Sequence, residues 1–113
     1  MMLEKPLRAG HPSSECVAIA SADTDQTVVT CGTDRIVVLE GAILSNGNAS
    51  AAVFDVYDGA SASSDLLFSM SVPANDSKEL GSDFFNGGHV ATTSIVARSD
   101  QTTCKISISF MES

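Results

Sequence analysis

Few side chains in this sequence are of a type and spacing that could do chemistry. His89 follows Gly87-Gly88, and with an aspartate and one of the many serines it could form a hydrolytic triad. A serine nucleophile of that kind sits on a sharp strand-to-helix elbow. The chain has neither a G-x-S-x-G sequence nor the helical periodicity to supply one. Glu40 and Asp55 could be paired as the two carboxylates of a glycosidase. Carboxylates are commonplace here, however, with 14 Asp and Glu against 6 Lys and Arg. Asp55, Asp58 and Asp65 bracket a serine-rich loop, and Asp23 and Asp25 share another, so oxygen ligands for Ca²⁺ are present. Their spacing is not that of an EF-hand, no bidentate Glu follows, and Asp is an ordinary turn former. The expectation is a protein with no catalytic residue, no metal and no cofactor, and not an enzyme.

Cys16, Cys31 and Cys104 make an odd count with no C-x-x-C spacing, which suggests neither a disulfide framework nor a zinc site. Each lies in an apolar or β-branched run, where a free thiol behaves as a small hydrophobe. A Cys16–Cys104 or Cys31–Cys104 bridge stays open if those strands are neighbours. The net charge of −8 repels phosphate backbones and anionic bilayers, so nucleic acid and membrane are not expected partners. No apolar stretch has the length of a membrane span, and the first residues lack the apolar segment of a secretory signal.

The elements that would position these residues read as strands. Arg35–Leu44 and Ala51–Tyr57 flank Ser45-Asn46-Gly47-Asn48, and Asn-Gly between β-branched runs predicts a central hairpin. Gly41 after Glu40 marks a bulge. Asp65–Val72 alternates, with Leu66, Phe68, Met70 and Val72 inward. Cys104–Met111 alternates most clearly, with Cys104, Ile106, Ile108 and Phe110 inward. Shorter strands are expected at Cys16–Ala20, Thr27–Cys31, Ser77–Leu80 and His89–Arg98, with Phe84-Phe85 at a corner. About eight short strands without helical periodicity predict an all-β chain, an antiparallel β-sandwich or jelly roll over residues 15–113. Residues 1–14 predict an extended N-terminal arm, because Pro6, Gly10 and Pro12 forbid a helix or a central strand. Leu3 and Leu7 with Lys5, Arg8 and His11 make that arm apolar and basic against an acidic body.

Leu44-Ser45-Asn46, Val53-Phe54-Asp55-Val56-Tyr57-Asp58-Gly59, Val72-Pro73-Ala74, Phe84-Phe85-Asn86-Gly87 and the alternating Ile106–Phe110 together form a recurring layout. Over about residues 34–111 it resembles the small β-sandwich virion proteins of tailed bacteriophages. That resemblance implies a structural virion protein of the capsid decoration or cement type, located in the virion and assembled in the host cytoplasm. It would bind the major capsid protein or other virion subunits as a homo-oligomer, a trimer being favoured. The arm residues Leu3, Lys5, Pro6, Leu7, Arg8, His11 and Pro12 would dock on capsid or on a neighbouring copy. Apolar residues expected on the outward face, Val37, Leu39 and Leu67, would line the interface between subunits. The alternative is a tail- or fibre-associated module that binds carbohydrate or a receptor, for which Tyr57 is the lone tyrosine and no Trp is present.

Overall fold

The computed structural model describes residues 11–59, 65–86 and 88–112, and within them the chain is almost entirely strand. In chain order the elements are β1 (His11–Ile19), β2 (Gln26–Thr30), β3 (Val37–Asn46), β4 (Ala52–Asp58) and β5 (Asp65–Val72). They are followed by β6 (Asp76–Leu80), the one-turn helix α1 (Ser82–Phe85), β7 (Val90–Ala91), β8 (Ser94–Ser99) and β9 (Cys104–Glu112). One sheet runs β1-β9-β3-β6, with β7 paired to β3, and the other runs β2-β8-β4-β5. Every pairing among them is antiparallel. This is the strand order of a jelly roll, and the all-β sandwich expected from turn spacing is what forms.

β9 is the clearest case of sequence dictating structure. Its alternation places Cys104, Ile106, Ile108 and Phe110 inward and buried, as expected, between β1 on one side and β3 on the other. Full burial of an aliphatic side chain such as Ile106 is worth roughly 1.5–3 kcal/mol. Across the core, β4 presents Ala52, Phe54 and Val56, also buried.

Three expectations need correction. The first is the central hairpin. β3 and β4 belong to different sheets, and among the described strands only β4 and β5 are consecutive partners. The Asn-Gly turn is a crossover. Asn46 is 2% exposed, and its amide closes the corner instead of facing solvent as a hairpin tip would. Nδ2 donates to the carbonyls of Ser50 (2.9 Å), Val72 (3.2 Å) and Pro73 (3.1 Å), and Oδ1 accepts from the Asn48 N–H at 2.9 Å. Gly47 then passes close to the β8–β9 turn, donating its N–H to the Thr103 carbonyl at 2.9 Å. A β-carbon at Gly47 would stand 3.0 Å from that oxygen, a contact tight enough that the Thr103 backbone would have to give by a few tenths of an ångström.

The second correction concerns Val37 and Leu39, expected to face outward. Both are 0% exposed. The expected bulge is there: Leu39 pairs with Phe110 and Gly41 with Ser109, leaving Glu40 as the extra residue. It shifts the phase of β3, so Val37 and Leu39 face the core before it and Ala42 and Leu44 after it. The exposed apolar residue of this strand is Ile43. A bulge in β5 has the same effect. Val56 pairs with Phe68 but Tyr57 pairs with Leu66, so Leu67 is the extra residue. Leu67 packs half-buried against the core and Leu66, expected inward, is 56% exposed.

The third correction is the arm. Residues 11–14 belong to β1, His11 pairing with Glu112 and Pro12 with Met111. An edge strand tolerates proline because one of its sides needs no donor, and the nine residues of β9 supply the ladder.

Two stability measurements check this arrangement. Leu39→Ala is expected to cost about 2–5 kcal/mol by denaturant titration, the range for a buried leucine and far above the ~0.5 kcal/mol of a surface site. Asn46→Ala strands three carbonyls of which the Val72 oxygen is buried, and a loss of about 1–3 kcal/mol is expected by the same measurement.

Candidate interaction surface

The residues with chemical potential are tied into structural roles. Asp58 ends β4, and its carboxylate is a latch on the turn between β7 and β8. Oδ1 accepts the N–H of Thr93 (3.0 Å) and Ser94 (3.4 Å), and Oδ2 accepts the N–H of Thr92 (3.0 Å) and its hydroxyl (3.3 Å). Burial alone would raise the pKa of this carboxyl. The donors from Thr93, Thr92 and Ser94 outweigh burial and hold it below the ordinary Asp value. Asp55 accepts the Ser69 hydroxyl at 2.6 Å and the Tyr57 hydroxyl at 3.5 Å on the outer face of the same sheet. Burial, then the Asp55 charge, pushes the Tyr57 hydroxyl above its usual pKa. Asp23 and Asp25 flank the Arg98 guanidinium at 3.8 and 3.7 Å. Glu40 lies on the other sheet from Asp55, so the two do not form a carboxylate pair. Among the described residues no group of three or more His, Cys, Asp or Glu side chains could hold a metal ion.

His89 sits in an aromatic cluster that the sequence reading missed. Its ring stacks on Phe84 (5.5 Å between centroids, 21° between planes) and meets Phe85 and Phe68 edge-on at 5.1 and 6.1 Å. Its Nδ1 lies 3.3 Å from the Phe85 carbonyl, a hydrogen bond in the tautomer that protonates Nδ1. Phe85 is buried whereas Phe84 is 40% exposed. The doubled Phe84-Phe85 with a histidine four positions on was the available signal: one ring plugs the sandwich and the next lies on its surface. No hydroxyl or carboxylate hydrogen-bonds His89 among the described residues, so the hydrolytic triad is not assembled there.

The three cysteines are free. Cys104 is buried, with its sulfur near the Ser99 hydroxyl and the Thr102 carbonyl. Cys31 donates to the Ala91 carbonyl, and burial followed by the charges of Asp58 and Glu112 raises its pKa, keeping it a thiol. Cys16 is exposed on β1 opposite Ser107, with its face of the strand turned away from Cys104, which pairs with Ile19. Two depressions mark the surface. One of about 410 Å³ is lined by Ser45, Asn46, Gly47, Asn75, Asp76 and Ser77; the other, about 320 Å³, by Ala18, Ile19, Ala20, Thr103, Cys104 and Lys105. Neither gathers an acid–base pair.

What the surface offers is sheet edge and scattered apolar area. Of the residues expected to bind partners, Leu3, Lys5, Pro6, Leu7 and Arg8 lie outside the described residues. His11 and Pro12 open β1, Val37 and Leu39 belong to the core, and Leu67 is half-buried in the β5 bulge. The exposed large apolar side chains are Ile36, Ile43, Val53, Leu66 and Phe84. Tyr57 is buried and cannot stack on a sugar. No helix among the described residues is long and apolar enough to cross a membrane.

The Asp58 latch gives a pH dependence of defined sign. With its pKa lower folded than unfolded, the carboxylate contributes stability that is fully present above the unfolded value. That contribution is lost as pH falls through the lower folded value. Asp58→Asn is expected to flatten this part of the stability profile below about pH 4, read by thermal unfolding across pH.

No family model and no curated protein matches the chain. Among solved structures it is similar to one described as "Bacillus endospore appendages form a novel family of disulfide-linked pili", with a TM-score of 0.54 and 7% sequence identity, over 89% of this chain and 84% of that one. At that identity the likeness is one of fold.

Proposed function

We propose that this chain is a structural subunit that works by assembling with other protein chains, copies of itself included. The observation carrying this reading is the combination of open sheet edges with candidate catalytic side chains, Asp55, Asp58 and His89, that are engaged in holding the fold. A sandwich of two open sheets leaves backbone donors and acceptors along its outer strands, and such edges are templates for another chain. Two settings fit. The likeness of residues 34–111 to phage virion proteins favours a decoration or cement subunit on a capsid, bound to the major capsid protein. The fold shared with a pilus subunit favours a fibre. Both are polymers in which a small sandwich repeats, and in both the partner is protein. A carbohydrate-binding role ranks lower, since Phe84 is the single exposed aromatic side chain among the described residues.

If copies are joined covalently, as the pili of the similar structure are said to be, Cys16 is the sulfur available on an outer strand. Cys31 and Cys104 are turned into the protein.

Analytical ultracentrifugation and electron microscopy of the purified chain test the reading. Discrete oligomers that bind capsids would place it on a particle, and filaments would place it in a fibre. A species that stays monomeric at every concentration and binds no virion component would sink the proposal. Under oxidising conditions any covalent dimer on a non-reducing gel is expected to vanish with Cys16→Ser and to persist with Cys104→Ser.

A further inference from the structure

The four outer strands are not equally defended. β6 is five residues long and carries Lys78 and Glu79; β2 is also five residues; β1 contains Pro12 and Glu15. Shortness, charge and proline are the devices that discourage an edge from recruiting another strand. β5 has none of these three, and its one interruption is the bulge at Leu67 near its start. It is eight residues long, and after Asp65 it contains neither a charged residue nor a proline. Its surroundings are apolar and acidic together. Leu66 is the most exposed large apolar side chain, Leu67 and Met70 are half-buried, and Phe84 of α1 reaches the strand through a 5.7 Å contact with Phe68. Exposed carboxylates stand at both sides, Asp65 at the start of the strand and Asp83 beside Phe84.

A matching segment lies in the same chain. Residues 1–10 hold Lys5 and Arg8 against Glu4, a net charge of +1, which leaves −9 on the rest of a chain whose total is −8. Fully extended, ten residues span about 33 Å, long enough to reach a second copy. In an added strand, alternate side chains share a face, so Leu3, Lys5 and Leu7 would lie together and Arg8 on the other side. Pro6 removes one donor, which a strand at the edge of a sheet tolerates.

We propose that residues 1–10 of one copy add as a strand to the edge of β5 that no described strand pairs, on a second copy, with Leu3, Lys5 and Leu7 on the outer face beside Leu66 and Asp65, and Arg8 on the other face toward Phe84 and Asp83. This rests on the assembly reading above and names the surface through which assembly occurs. Backbone hydrogen bonds supply affinity, and the alternating apolar and basic side chains supply register.

Disulfide trapping between full-length chains tests it. One chain carries Leu7→Cys with Cys16→Ser, and a second, differently tagged chain carries Leu66→Cys with Cys16→Ser. Mixed and mildly oxidised, the two are expected to give a cross-linked heterodimer on a non-reducing gel. The yield should fall with Lys5→Glu/Arg8→Glu and in ~1 M salt, where the Debye length shrinks to about 3 Å. The charge-reversed segment is expected to regain the cross-link when the receiving chain carries Asp65→Lys/Asp83→Lys. Leu66 and Asp83 are exposed, so their replacement leaves the core intact. Absence of the heterodimer overturns the proposal, as does preferential trapping to Ser14→Cys on β1. A bond formed only within a single Leu7→Cys/Leu66→Cys chain also overturns it. Were ultracentrifugation still to show oligomers in any of these cases, the assembly reading would survive and the β5 surface alone would fall.

Discussion

The amide of Asn46 is the constraint on which the sandwich depends. Successive strands here lie mostly in opposite sheets, so at each end of the molecule the backbone must leave one ladder and enter another. In the crossing its N–H and C=O groups lose their strand partners, and buried groups left so cost of the order of 1–3 kcal/mol each. Asn46 is the last residue of β3 in one sheet, and it satisfies carbonyls at the end of β5 and the start of β4 in the other. An amide is the side chain suited to this, since its two N–H hydrogens can be shared among the three carbonyls while its oxygen accepts on the other side. Asn48 extends the corner by bonding Thr102, and Asp100 by receiving the N–H of Val53. At the opposite end Asp58 does the corresponding work with a carboxylate that only accepts, matched to three N–H groups that only donate.

How much of this was legible in the sequence depends on the range of the interaction involved. β9 and β4 could be read because period-two alternation is a local property, and Cys104, Ile106, Ile108, Phe110, Phe54 and Val56 proved buried. The bulge at Glu40-Gly41 was legible for the same reason. Its consequence was not: deciding whether Val37 or Val38 faces inward requires knowing which sheet lies above the strand. The turn at Ser45–Asn48 failed differently. Asn-Gly announces a tight reversal, and a reversal within one sheet looks locally the same as a corner between two. What distinguishes them is the partner of the Asn46 side chain, 26 and 27 residues further along the chain. The aromatic group of Phe68, Phe84, Phe85 and His89 was hidden likewise, because β5 and α1 meet only in space.

The candidate site shows the same division. Carboxylates, a histidine and thiols could be picked out as chemically able, and their local sequence argued against catalytic use. Their real employment, with Asp58 holding a turn, His89 packed among phenylalanines and Cys104 beside Ser99, follows from contacts across the sandwich. Arm and outward apolar residues were harder still, since an interface is defined by a second molecule. Of the residues expected to line one, the two on β3 were claimed by the core, and Ile43, Leu66 and Phe84 stand exposed in their place.

A jelly roll keeps edges that a closed barrel abolishes, and here three of the four are blunted by shortness, charge or proline. Net charge supplies a second barrier to contact, because bodies this acidic repel one another at distances within a Debye length. Self-association of such a protein calls for a cationic element as well as an open edge. The chain has six basic residues: Lys5, Arg8, Arg35, Lys78, Arg98 and Lys105. Arg98 is held by Asp23 and Asp25, Arg35 lies over Gly32 beside Glu112, and Lys78 is on the charged edge strand itself. Lys105 stands on the outer face of β9, in the interior of its sheet. Lys5 and Arg8 are the pair placed close together in sequence, next to the apolar Leu3 and Leu7. In the proposed assembly, charge, hydrophobicity and backbone valence point to one kind of partner for the β5 edge: a short basic segment that is polar and apolar by turns.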